Sequence, residues 1–254
     1  MNVVPAISKE QVDTQQKPDT KSTSAVANAA KSMKRKQQGS TLADRLTKIE
    51  SQLRYLSDLA EIHKVQAQFM QYMMTFQRER VVQLFAETPE TEVEVAHKGA
   101  LVGPDAARRY FLRAGRPDGP HAPGVMIIHE SVNPVIEVDS TGKHAKALWI
   151  SPGITTLPID GKLTATWNWG KFEMEYLKME GKWKILKFHW RHIFMATYDK
   201  GWIDGSISSE GAGPAFSKDR SSAPDYYEPY SPTGMNRFYP LPPEPYSSAP
   251  IGVK

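Results

Sequence analysis

Cysteine is absent from all 254 residues, which removes disulfides, thiolate metal sites and cysteine nucleophiles together. Aromatic side chains are absent from residues 1–40, where Lys, Gln, Ser, Thr and Ala dominate. Such a segment cannot bury enough apolar area to offset its chain entropy, so residues 1–41 are expected to form a disordered basic head. Its seven basic residues (Lys9, Lys17, Lys21, Lys31, Lys34, Arg35, Lys36) outnumber Glu10, Asp13 and Asp19 by four, which equals the net charge of +4 on the whole chain. The remainder is therefore neutral, and a pI near 9.0 is no argument for a nucleic-acid partner. Lys34, Arg35 and Lys36 read as a solvated run. No apolar run long enough for a signal peptide or a membrane span precedes the domain, so a cytoplasmic location without a membrane partner is expected.

Proline and glycine are missing from residues 42–86, and apolar residues recur there at helical spacing. Leu42, Leu46, Ile49, Leu53 and Leu56 alternate four and three apart, as in a heptad seam. Ser57 and Asp58, with Glu61 following, then offer a fresh N-cap signal, which predicts two helices with a break at that point. The second runs through Ile62, Val65, Phe69, Tyr72 and Phe76, with a kink or break expected around residues 77–80. Residues 91–97 alternate as a half-buried strand, Gly99 and Gly103 mark turns, and Pro104 suits the start of a short helix ending near Arg113. Residues 116–124 read as a loop. Four strand-like stretches follow at 125–138, 145–157, 163–179 and 183–193, separated by turn signals at 139–142, Asp160-Gly161 and Glu180-Gly181. Helices first and an antiparallel meander afterwards is the α+β arrangement, for a domain over residues 42–200. Nine of the 19 prolines and five of the ten tyrosines fall at 214–254. Residues 201–254 are therefore an extended tail, either strapped over a neighbouring surface or subunit or free.

Leu84-Phe85-Ala86, the strand and turns reaching Gly99 and Gly103, and Ala106-Ala107-Arg108-Arg109-Tyr110-Phe111 resemble the opening half of SnoaL-like domains of the nuclear transport factor two-like superfamily. His129 with Asn133-Pro134-Val135-Ile136-Glu137-Val138-Asp139 resembles that family's third strand. Gly170-Lys171-Phe172-Glu173-Met174-Glu175-Tyr176 and Gly181-Lys182-Trp183-Lys184-Ile185 resemble its last two. The resemblance spans residues 55–200. It implies a cone-shaped sheet curved around the long helix, with an apolar pocket at the open end. Trp167 to Gly170, His189-Trp190 and the Pro/Tyr-rich tail also resemble a cofactor-independent diarylpropane lyase subgroup from aromatic catabolism. Where dehydratase-like members keep an acidic residue on the long helix, this chain has Met74, which argues against an aspartate–histidine relay.

His129 is the first candidate for catalysis, because the family places it across the pocket and an imidazole exchanges protons near neutrality. Tyr72 shares a helix face with Phe69 and Phe76, as a phenol donor or a core tyrosine. Alternation puts His189 and Arg191 on one face with Lys187, where they could hold an anion at the pocket rim. His129 and Arg191 are expected to face one cavity. Glu173 faces either outward or inward, and inward it becomes a candidate base. Phe69, Phe76, Trp149, Trp167 and Trp169 are candidate substrate-lining residues, with Trp190 a fourth indole in the same strands. His189 and His192 stand three apart in a strand, the wrong period for a shared ligand face, so no metal and no cofactor are expected. These readings converge on a cofactor-free lyase, dehydratase or isomerase for a hydrophobic aromatic small molecule, associating as a homodimer or homotrimer. By resemblance alone, the diarylpropane reaction would yield a stilbene and formaldehyde. The alternative is a non-catalytic module binding a small molecule or a protein.

Overall fold

The computed structural model describes residues 41–96, 99–112, 119, 122–205 and 228–247. Residues 1–40 of the basic head, His97, Arg113, residues 116–118 and 120–121 of the expected loop and residues 206–227 and 248–254 of the expected tail lie outside them. The chain divides into Met1–Thr47, of which the described part is one helix opening, and Lys48–Lys254.

Helix α1, Leu42–Met74, opens on a capping box: Thr41 Oγ1 accepts from the Asp44 amide at 3.1 Å while the Asp44 carboxylate accepts from the Thr41 amide at 2.8 Å. Leu42, Leu46, Ile49, Leu53 and Leu56 are all exposed, so no described residue covers the heptad seam. The expected break at Ser57 and Asp58 does not occur. The Asp58 side chain is spent on the sheet, accepting from Lys178 Nζ at 2.6 Å and from Trp183 Nε1 at 2.9 Å. It is therefore unavailable to cap a helix, and α1 runs through. The helix ends at Met74, where Phe76 takes a left-handed φ of 57° and the Gln77 amide bonds back to the Tyr72 carbonyl. Helix α2, Arg78–Val82, follows.

The remaining elements are β1 (Glu92–Val95), β2 (Ala100–Val102), α3 (Ala106–Phe111), β3 (Met126–His129), β4 (Val132–Val138), β5 (His144–Ile159), β6 (Lys162–Met179), β7 (Lys182–Thr197) and α4 (Gly201–Asp204). They form one curved, open sheet in the order β2-β1-β7-β6-β5-β3, with β4 also on β5. The fold is α+β, as expected, but the sheet is mixed, because β1 lies parallel to β7. Alternation reveals a strand and its faces but not its direction, so this pairing was invisible in the sequence. The stretch at 125–138 is two strands, split at Glu130 and Ser131 and bulged at Asn133. Both ride along the same edge of β5. Asp160-Gly161 and Glu180-Gly181 are two-residue hairpin turns with both residues at positive φ, the backbone that matches the twist of adjoining strands.

The inner face of the sheet packs on α1. Phe69 sits in a cage of rings from Phe85, Phe111, Phe172 and Phe188, with centroids 5.0 to 6.3 Å away. Gln66, fully buried, accepts from Tyr176 Oη at 2.9 Å and donates to Ser131 Oγ at 2.8 Å, tying the helix to the sheet. The outer face carries the described tail. Lys171 Nζ donates to the carbonyls of Phe238 and Pro240, the Tyr230 amide donates to the Ile193 carbonyl, and the Lys146 ammonium stands over the Tyr246 ring.

Candidate active site

Partners directly opposite in a ladder share a face, so the register sorts every candidate. Phe172, Met174 and Tyr176 belong to the core and define the inner face of β6. Asn168, Gly170 and Thr166 share it by alternation. Their partners extend the inner face to Ser151, Gly153 and Thr155 on β5, to His129 on β3, and to Trp190 and His192 on β7. The intervening positions, Trp167, Trp169, Lys171 and Glu173 with Phe194, Arg191 and His189, point outward.

The chain thus places His129 and Arg191 on opposite sides of the sheet, against the expectation that they face one cavity. A bulge in β7 between Phe194 and His192 and three strand pairings separate them, and no local pattern encodes that sum. Arg191 and His189 do share a face, with Lys187, but it is the outer one. Glu173 points outward as well. Trp167 stacks on Tyr198 and Trp169 on Phe194, both on the outer face, away from His129. Trp149 is on the inner face and buried, edge-on to His63. Phe69 is in the core. Phe76 is buried under the Arg78 guanidinium, and Tyr72 is half-buried under that of Arg80.

On the outer face Arg191 is the hub of a buried ionic knot. Its Nε donates to Glu173 at 2.9 Å and its Nη1 to Glu94 at 3.1 Å, while His189 Nε2 lies 3.1 Å from Glu92. Arg191 Nη2 also stands 2.8 Å from His189 Nδ1, which can accept only in the neutral ring. Burial too favours the neutral ring, but the carboxylates of Glu173 and Glu92 outweigh it and raise the imidazole pKa to about 9. Burial would raise Glu173, yet His189 and Arg191 hold it down at about 2. Glu92, Glu94 and His189 bring ligand atoms within 4.8 Å of one another. Arg191 already supplies the positive charge there, which fits a structural knot better than a cation site. His192, three residues from His189, is on the other face.

The inner face at the open end is different in kind. From Ser151 to Thr155 and from Thr166 to Phe172 its residues are uncharged. His129 Nδ1 lies 3.2 Å from Ser151 Oγ, and its ring meets Trp190 edge-on at 5.2 Å, with His192 4.9 Å beyond. Two glycines make this possible. A Cβ on Gly153 would fall 2.4 Å from His129 Nδ1, and one on Gly170 would fall 2.6 Å from Trp190 Nε1. The imidazole and the indole therefore lie flat across strands that offer no side chain beneath them. Part of His129 is open to solvent, but protein encloses the rest, and that burial pushes its pKa down to about 4. The ring is thus neutral at physiological pH, with a proton on one nitrogen and a lone pair on the other. Trp190 Nε1 has no acceptor among the described residues. Ser151 and Asn168 entered the sequence reading only as strand residues, whereas Trp190 stood there as one of four clustered indoles. The signal that could have found this site is a glycine isolated in each of two strand runs, which marks a close approach.

Residues 54–189, just over half of the chain, match the SnoaL-like domain family, and the chain belongs to that family. Among solved structures it resembles LinA, with a TM-score of 0.50 and 18% identity over 59% of this chain and 95% of that one. It is also similar to the hexachlorocyclohexane dehydrochlorinase LinA-type3 of Novosphingobium barchaimii LL02 (TM-score 0.49, 19% identity, 59% and 95% covered). A third is an NTF2-like protein with a cystatin-like fold from Novosphingobium aromaticivorans (TM-score 0.41, 19% identity, 61% and 92% covered). No curated protein matches the chain. At these identities the likeness is one of fold. No helix among the described residues is long and apolar enough to cross a membrane.

Proposed function

We propose that the inner face around His129 is the active site of a cofactor-free lyase or dehydratase for a neutral aromatic small molecule, with His129 as general base. The observation that carries this reading is a neutral imidazole, partly open to solvent, laid over Gly153 between the Trp190 indole and the Ser151 hydroxyl. Flat apolar walls with a few convergent polar groups suit an aromatic ligand. In the reaction His129 accepts a proton from the substrate, the freed electron pair becomes a carbon–carbon double bond, and the hydroxyl leaves, taking the proton back from the imidazolium as water. Ser151 orients the ring, and the Trp190 N–H, which has no acceptor among the described residues, is the donor assigned to developing negative charge. This reading gives Trp190 the task first assigned to Arg191. Glu173, His189 and Arg191 keep the closed side of the sheet intact. The finer reading, carried by the subgroup resemblance, is a diarylpropane bearing a benzylic hydroxyl and a hydroxymethyl group, which yields a stilbene, water and formaldehyde.

The test is to incubate the purified protein with lignin-type dimers, hydroxysteroids and polyketide phenols and follow products by mass. Turnover of a dimer or phenol, lost on His129→Gln, supports the reading. Binding without any product supports the second reading, a non-catalytic ligand-binding module. One observation favours that alternative: the hydrogen-bond partner of His129 among the described residues is a serine, with no carboxylate to strengthen the base.

A further inference from the structure

Across Gly153 from His129, two strand spacings or about 10 Å away, stands Asn168. It is almost fully buried and belongs to a small polar cluster with Thr155 and Thr166 on the same face. Its Nδ2 donates to Thr155 Oγ1 at 3.1 Å and to Thr166 Oγ1 at 2.9 Å, and the two hydroxyls share a further hydrogen bond. A carboxamide has only two hydrogens, and both are spent. The orientation of the amide is thereby set by its neighbours: Thr166 Oγ1 donates to the Thr155 carbonyl and the Thr155 hydroxyl to Thr166 Oγ1, so turning the amide over would aim its oxygen at two hydroxyls with no proton left for it. The end that remains is Oδ1, an acceptor, and no described residue supplies it with a donor.

We propose that Asn168 Oδ1 is a ligand subsite that takes the free hydroxyl of a neutral aromatic molecule and rejects its methyl ether. This rests on the reading of the inner face as a ligand site and adds which substituent the site selects. The polarity is what decides: Oδ1 needs a donor, so an O–H satisfies it, whereas an ether or a carbonyl brings a second acceptor against it. A site built to bond a hydroxyl discriminates steeply against an analogue lacking it, because its own polar group is then buried unpaired. A carboxylate fares worse still, since the inner-face positions flanking Asn168 hold no cation.

Calorimetric titration of the full chain with 4-benzylphenol, 4-benzylanisole and 4-benzylbenzyl alcohol tests this. The phenol is expected to bind about tenfold tighter than the anisole or more, and the benzyl alcohol arm shows whether a phenolic or an alcoholic hydroxyl is preferred. In Asn168→Leu the phenol–anisole gap disappears. In Thr166→Val, which removes one hydroxyl with little change of shape, an Nδ2 hydrogen is released for the ligand, and the gap narrows through tighter anisole binding. The second variant decides if the first does not fold. Equal affinities in the wild type, a gap that survives in folded Asn168→Leu, or no binding of any probe overturns the proposal. Hydroxyl selectivity with no turnover on any substrate would leave this subsite standing while the lyase reading fell, and turnover without selectivity would do the reverse.

Discussion

Replacing Gly153 with alanine separates the chemistry of His129 from the stability of the sheet. The new methyl would sit 2.4 Å from Nδ1, 2.6 Å from Cε1 and 2.8 Å from Cγ of the imidazole, distances no real pair of atoms tolerates. Backbone in the middle of a sixteen-residue strand cannot retreat, so the ring must swing off the strand, leaving Ser151 and moving toward water. The lost packing and hydrogen bond destabilise by about 1 kcal/mol, while exchanging a strand glycine for alanine recovers roughly 0.5–1 kcal/mol. The melting temperature should therefore change by less than about 4 °C. Turnover should fall on the order of a hundredfold, the scale of a displaced general base. The ring resonances of His129 followed by NMR across pH should show its pKa climbing from about 4 toward the ordinary 6.5 as burial is relieved. An unchanged low pKa in the variant, or turnover that survives intact, would refute the idea that this glycine seats the imidazole.

Arg191→Met should cost about 3–5 kcal/mol of stability, because it strands Glu94 among buried atoms without its cation, yet leave turnover per folded molecule unchanged; loss of turnover in a variant that melts normally would return Arg191 to the site. Stability should peak near pH 6.5. Above it, His189, held at about 9 in the fold against 6.5 unfolded, progressively loses the proton that stabilises the knot. Below it, burial of neutral His129, at about 4 against 6.5, becomes a penalty, and Glu173, at about 2 against 4.5, surrenders its contribution at lower pH still. Thermal melts of His189→Gln should flatten only the alkaline arm and those of His129→Gln only the first acid arm; the opposite pattern would contradict the two assignments. The seam of Leu42, Leu46, Ile49, Leu53 and Leu56 needs a cover, and a homodimer or homotrimer is expected by light scattering; a monomer at micromolar concentration would rule that out.

Local signals in this chain were legible and relational ones were not. Asp160-Gly161 and Glu180-Gly181 read directly as turns because each calls for positive φ at two successive residues, which glycine tolerates freely. The absence of proline and glycine before Ala86 located the long helix, but Asp58 misled. An aspartate after serine looks like a cap, and only the tertiary fold shows that Lys178 and Trp183 claim it. Alternation correctly grouped Arg191 with His189. It could not say which group faced inward, and relating either to His129 required the register of three strand pairs and a bulge at Ile193. Gly153 and Gly170 were the readable clue to the site, since a glycine in mid-strand has little purpose unless something lies close against it.

In the proposed mechanism His129 is a base held neutral by the protein that encloses it. The pH dependence of kcat/KM for whichever substrate turns over tests this most directly, since that profile reports the ionisation of the free enzyme. The expected profile has an ascending limb with an apparent pKa near 4, a plateau through neutrality, and loss of the limb together with the activity in His129→Gln. A limb centred near 6.5, or a profile that His129→Gln leaves intact, would contradict it.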